Sequence, residues 1–180
     1  MKVLTITIPE RFKEYFGNPF SEILKLLPDL NQSWDEIIVD FSKSKFVVPH
    51  FLGPLSCVLH KKSQEGVEIT VINAVPYLST IHFFNGTNAV LFENKVDLSY
   101  YNNKTYLPII HFPTGLLTVD ADKRIEILSA VNTLLKAQLK LPNNVLEAFY
   151  YFLDELTQNI VDHSKQNFGT VFAQFYPEKG

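Results

Sequence analysis

The chain has 180 residues, 46% of them hydrophobic and 19% charged, which is enough apolar material for the core of one domain, or of one domain plus part of another. A formal net charge of -3, with no run of lysines or arginines interleaved with aromatics, leaves no electrostatic footprint for nucleic acid or an anionic lipid surface. No segment approaches the ~20 apolar residues of a membrane span, and the start MKVLTITIPERF meets a proline and charges too soon for a secretory core. The lone Cys57 forms no internal disulfide, which suits a reducing cytoplasm, and its setting in PLSCVL reads as that of a small buried residue.

In chain order, Val3 to Ile8 alternates like a strand and is ended by Pro9, and Pro19 to Leu27 has the apolar spacing of a helix that begins near Asn18. The run EIIVDF, Glu36 to Phe41, is short and nearly continuous in apolar residues, as in a parallel-sheet strand buried on both faces. Phe51 to Lys61 carries helical spacing, and after Gly66 the run Val67 to Asn73 restarts a strand. The two strands and the helix between them make a βαβ crossover, so the strands should be parallel neighbours. Tyr77 to Phe84 reads as a further helix, and Tyr106 to Phe112 as a strand that Pro108 pushes toward an edge or an end.

From Asp120 the pattern changes. Ile125, Leu128, Val131, Leu135 and Leu139 mark one face of a long amphipathic helix with Asp120 and Asp122 in its first turn. Pro142 fits the start of a second helix, whose buried side is read as Val145, Phe149, Phe152, Leu153, Leu156 and Ile160. The terminal FGTVFAQFYPEKG forms a strand with Val171, Ala173 and Phe175 on one face and Phe172, Gln174 and Tyr176 on the other. No internal repeat or low-complexity segment interrupts this order.

Residues 40 to 53, DFSKSKFVVPHFLG, resemble position for position the segment D-L-S-x-x-x-F-I-D-S-S-G-L-G of STAS domains, the fold of anti-sigma-factor antagonists and of the cytoplasmic tails of sulfate transporters. VEITVINAVPYLSTIHFFNG looks like that family's next strand and helix, so the resemblance covers about the first 100 residues. It implies an α/β fold, with a STAS-like central sheet and a parallel βαβ crossover flanked by helices. The serine that the antagonists offer for phosphorylation aligns here with His50, and Val48, Pro49 and Phe51 surround it. The usual phosphoswitch hydroxyl is therefore missing. His50 reads as an ordinary surface histidine at a strand-helix turn, or as a phosphoryl acceptor in its place.

LDELTQNIVDHS, residues 153 to 164, resembles the N box of the ATPase superfamily shared by gyrase, heat-shock chaperones and histidine kinases, usually E-L-x-x-N-A-x-x-H. At spacings of four, Glu155, Asn159 and His163 lie in one polar stripe of a helix. The resemblance implies that Glu155 is the catalytic base or water-positioning group. It implies that the Asn159 carbonyl is the ligand of a Mg²⁺ bridging nucleotide phosphates, with His163 beside it on the cofactor side. Ile160 stands where the family has alanine. The alternative is a solvated helix face, since such residues at helical spacing are common.

The remaining parts of such a site do not occur in the chain. There is no D-x-G-x-G, no G-x-x-x-x-G-K-[ST] and no G-x-G-x-x-G, so ATP and Mg²⁺ are expected only if a complete ATPase domain follows, and no cofactor is expected in these 180 residues. The chain then reads either as the front of a longer protein or as one that naturally lost the rest. His50, His60, His82, His111 and His163 form no H-x-x-x-H or cysteine pairing, and Cys57 and Ser56 belong to no nucleophile elbow.

The sequence thus points to a STAS-like domain over residues 1 to 112, and to a helical hairpin, a terminal strand and the front of a histidine-kinase-type (GHKL) ATPase domain over 113 to 180. The implied function is a cytoplasmic bacterial signalling or regulatory protein that binds another protein, possibly itself as a homodimer, with no nucleic-acid or membrane partner. The runner-up is an anti-sigma-factor-like serine kinase or ATPase in the full-length protein.

Overall fold

The structure, a computed structural model, describes residues 1–10, 12, 18–84, 90–91, 96–114 and 121–176. The chain forms two compact units, Met1–Ala89 and Val90–Gly180. The mixed α/β class read from the sequence holds in both.

The first unit runs β1 (Val3–Thr7), α1 (Asn18–Leu30), β2 (Glu36–Asp40), α2 (Pro49–Gln64), β3 (Glu68–Ile72) and α3 (Pro76–Thr80). Its three strands are ordered β1-β2-β3 and all parallel, with Val3 opposite Glu36 and Glu36 opposite Glu68. The two runs around 36–41 and 67–73 are therefore parallel neighbours, with α2 as the connection. α2 starts where Pro49 supplies a fixed helical φ and no unsatisfied N–H, and its last turn carries Lys61 and Lys62 at the negative end of the helix dipole. Gly66, at φ 88, then takes the left-handed conformation that a side chain resists, and its N–H donates to the Ser63 carbonyl at 3.0 Å as the chain turns into β3.

Residues in register share a face, so Ile6, Ile37, Val39 and Ile69 form one buried surface. Ile23 and Leu30 of α1 and Phe51, Leu52, Leu55 and Leu59 of α2 are buried with them, and the two helices pack against each other. Among the described residues the opposite face has no fully buried side chain. It carries Thr5, Thr7, Glu36, Ile38, Asp40, Thr70 and Ile72, half-buried or exposed, and Thr70 Oγ1 donates to Glu36 Oε1 at 2.9 Å. The expectation that β2 is buried on both faces is thus corrected. Successive crossovers in one direction put both helices on the same side, and one layer of helices covers one face only. Cys57 is half-buried rather than buried.

The second unit runs β4 (Val90–Leu91), a 3₁₀ turn (Leu98–Tyr101), β5 (Tyr106–Pro113), α4 (Ala121–Leu139), α5 (Asn143–His163) and β6 (Phe168–Gln174). Its sheet is ordered β4-β5-β6, with β4 parallel and β6 antiparallel to β5. β5 thus belongs with residues 90 to 180, whereas the sequence reading drew the boundary at 112. Pro108 also sits in the central strand rather than at an edge. The β5/β6 register shifts between Leu107 and Ile110, and β4 faces only Ile110 and His111, so the missing N–H falls where the ladder is already interrupted.

α4 and α5 cover one face of this sheet. The core holds Leu107, Ile110 and Phe112 of β5 with Ile127, Val131 and Leu134 of α4. Leu153 and Ile160 of α5 and Val171, Ala173 and Phe175 pack against it, the last three being the strand face expected from the sequence. Both helices, however, are turned relative to their sequence reading. In α4 the buried residues are Ile127, Leu128, Val131 and Leu134, while Ile125 and Leu139 are exposed. In α5 Leu146 and Thr157 are buried, while Val145, Phe149, Phe152 and Leu156 face outward. Asp120 and the Asp122 side chain lie outside the described residues.

Candidate functional site

α5 presents the three residues singled out in LDELTQNIVDHS on one side. Glu155, Asn159 and His163 are all exposed, at i, i+4 and i+8, and Asn159 Nδ2 donates to Glu155 Oε1 at 3.3 Å. His163 is the last residue of the helix, where Ser164 closes the final turn by donating its N–H to the Ile160 carbonyl at 3.2 Å. The stripe continues toward the helix start as the outward-facing Leu156, Phe152, Phe149 and Val145. Among the described residues no three or more His, Cys, Asp or Glu side chains are grouped as a metal site.

The orientation of α5 is set on its other side by Arg124 of α4. Its guanidinium donates to the Asp154 carboxylate, to the Asp154 carbonyl at 3.1 Å and to Thr157 Oγ1 at 3.0 Å. The Arg124 side chain is 13% exposed and that of Asp154 40% exposed, so this clasp joins the two helices at the edge of solvent. Below it, Ile160 closes over Gly169 of β6, where an added Cβ would lie 3.0 Å from Ile160 Cγ2. No local pattern in the sequence marks this clasp. Arg124 and Asp154 are thirty residues apart, and only the hairpin brings them together.

A second group lies at the C-terminal end of the parallel sheet in the first unit, the position where open α/β sheets carry ligands. Asp40 Oδ1 accepts from the Ser42 N–H and from Asn73 Nδ2, both at 2.8 Å, and Asp40 Oδ2 accepts from Ser42 Oγ at 2.8 Å. The Asn73 hydrogen bond first, and then those from Ser42, hold the Asp40 carboxyl below its ordinary range. Asp40 and Ser42 were visible at the strand end in the sequence. Asn73 was not, although its φ of 55 is a conformation that asparagine tolerates better than most residues.

His50 is exposed in the first turn of α2, its ring 6.1 Å from that of Phe20. Ser56, two turns on, is fully buried. His60 is buried edge-on to Phe84 at 5.8 Å, and burial lowers its pKa, so its neutral form is favoured. In the second unit a groove of about 610 Å³ opens between the helices, lined by Asn132, Lys136, Asn143, Leu146, Glu147, Tyr150 and Tyr151.

Compared with known proteins, the chain matches no family model, no curated protein and no solved structure. No described helix is long and apolar enough to cross a membrane.

Proposed function

We propose that this protein is a signalling or regulatory protein that works through protein-protein contact. In this reading the first unit is a STAS-like docking or sensing module and α5 is the N-box helix of a histidine-kinase-type ATPase segment. The observation that carries it is the outward face of α5, where Glu155, Asn159 and His163 stand in line with uncovered apolar side chains. A helix face of that composition is built to be covered by something else. The succession of parallel strands and helices through β1, β2 and β3, with Asp40 at the end of β2, supports the docking half.

The second reading is an ATP-binding serine kinase or ATPase in a longer protein, and the Glu155-Asn159 contact favours it. By spending its amide N–H on Glu155, Asn159 keeps a carbonyl oxygen for a hard cation. In this reading Glu155 would be the general base, one helical turn from Asn159 as the Mg²⁺ ligand.

Titration calorimetry with ATP and Mg²⁺ tests the nucleotide half. The 180-residue chain is expected to give no binding heat, and a chain extended by natural downstream sequence bearing the glycine motifs is expected to bind. In the extended chain Asn159→Ala removes the Mg²⁺-dependent part, and Glu155→Ala leaves binding while slowing turnover by roughly 10²- to 10⁴-fold. Tight binding by the 180-residue chain overturns this account of the site, and an inert extended chain returns the stripe to a solvated helix face.

A further inference from the structure

The uncovered apolar residues of α5 have a spacing of their own. Val145, Phe149, Phe152 and Leu156 are 40%, 41%, 56% and 44% exposed, and they follow one another at intervals of four, three and four residues. At about 100° per residue this is the straight, narrow stripe of a helix-helix seam, not the wider face that a helix turns to a sheet. The spacing also reads the same in both directions.

The place of the stripe in the unit follows from the contacts of α5. Ile160 approaches Gly169 of β6, while Thr157 and Asp154 are held by Arg124 of α4. Each of these steps of three residues turns about 60° around the helix, so the stripe lies beyond Ile160, on the flank away from α4. That flank overhangs β6, which is an edge strand of its sheet among the described residues.

We propose that a second copy of this chain packs stripe to stripe against α5, antiparallel about a two-fold axis beside residues 150 and 151. Val145 then meets the partner's Leu156, and Phe149 meets the partner's Phe152. The palindromic spacing makes the surface self-complementary, as a two-fold interface requires. Charge agrees with the antiparallel direction. A parallel pair would set Glu155 and Asp162, which flank the stripe, against their own copies. The antiparallel pair sets Glu155 beside the partner's Ala148 and carries Asp162 to the start of the partner helix, where the helix dipole favours a carboxylate. The exposed parts of the stripe amount to roughly 350 Å² of apolar surface per copy, taking about 150–250 Å² for a whole aromatic side chain. With a polar rim of the usual share, a pair buries on the order of 1,200 Å², the lower bound for a specific interface.

The inference rests on the protein-contact half of the proposed function and is independent of the nucleotide half, so the calorimetric result leaves it untouched. Sedimentation of the chain up to about 100 μM is expected to show a dimer. The double variant Phe149→Glu, Phe152→Glu should sediment as a monomer with an unchanged far-ultraviolet circular dichroism spectrum, because both side chains already face outward. A monomeric parent chain, or a double variant that stays dimeric, overturns the proposal. The direction is read by disulfide formation in a Cys57→Ser background. Chains bearing Val145→Cys and Leu156→Cys are expected to cross-link when mixed and not separately, and Val145→Cys cross-linking to itself overturns the antiparallel arrangement.

Discussion

Gly169 lies so close to Phe112 that a Cβ built on it would stand 2.4 Å from the ring Cζ and 2.7 Å from Cε1. The two residues face each other across the β5/β6 ladder, and the Phe112 ring is buried in the core of the second unit, with Ile160 of α5 closing over the same spot. Phe112 is 1% exposed, so any shift of its ring must be made within the core.

Gly169→Ala is therefore expected to destabilise the second unit by about 1–3 kcal/mol, the usual cost of forcing extra volume into a packed core. Urea denaturation followed by a probe in that unit checks this as a lower midpoint at unchanged slope. An unshifted midpoint would show that Phe112 and Ile160 yield freely. The double variant Gly169→Ala, Phe112→Leu should cost less than the two single changes summed, since leucine lacks the Cε1 and Cζ atoms that a Cβ at position 169 would meet.

Arg124 is expected to matter through geometry as much as charge. Arg124→Ala leaves Asp154 and Thr157 without their largely buried partner and should cost about 1–3 kcal/mol. Arg124→Lys should recover little, because the shorter side chain carries a more strongly hydrated ammonium and lacks the planar, preorganised guanidinium that reaches these three acceptors. In a double-mutant cycle Arg124→Ala and Asp154→Ala should be non-additive by about 0.5–3 kcal/mol, and full additivity would show that the contact contributes nothing of its own.

For Asp40 the direction of the pH effect follows from its depressed pKa. A carboxyl whose folded pKa lies below its unfolded value contributes stability above the unfolded value, near pH 4, and loses that contribution as pH falls through the folded pKa. Asp40→Asn should accordingly flatten the acid limb of the stability curve below about pH 4. Asn73→Gly keeps the left-handed backbone accessible while deleting the hydrogen bond, so the Asp40 titration followed by carboxyl NMR should move upward toward the ordinary value. An unmoved titration would assign the depression to Ser42 alone.

Serine phosphorylation is expected to fail over residues 46 to 56, whose one hydroxyl is that of Ser56. Ser44 is 6% exposed and donates to the Ile8 carbonyl at 3.1 Å, and Ser56 is 0% exposed inside α2. Incubation with a serine kinase of the partner-switching type, followed by mass spectrometry, should find residues 46 to 56 unmodified. A phosphate on Ser56 would require α2 to open and would show that a switch exists in a displaced position.

The elements themselves were legible in the sequence because their signals are local. Strand alternation, the prolines at helix starts, the turn at Gly66 and the spacing of α4 and α5 are short-range properties of the backbone and its side chains, and most elements lie within a few residues of where the pattern put them. The parallel β2-α2-β3 unit followed too, since a strand, a long crossover and a second strand leave little choice of pairing. Glu155, Asn159 and His163 were placed on one exposed helix face by spacing alone.

What the tertiary structure decided is which stripe of each helix is covered and which strands belong together. Val145, Phe149, Phe152 and Leu156 satisfy an apolar period as well as Leu146, Leu153 and Ile160 do. Only the position of the β5/β6 sheet on one side and the Arg124 clasp on the other turns the second set inward. The pairing of β5 with β6 joins residues some sixty positions apart and moves the boundary between units ahead of Val90, and no local pattern encodes such a pairing. Pro108 became a central-strand residue for the same reason, because the register shift that accommodates it is a property of two strands together and not of YLPIIHF alone.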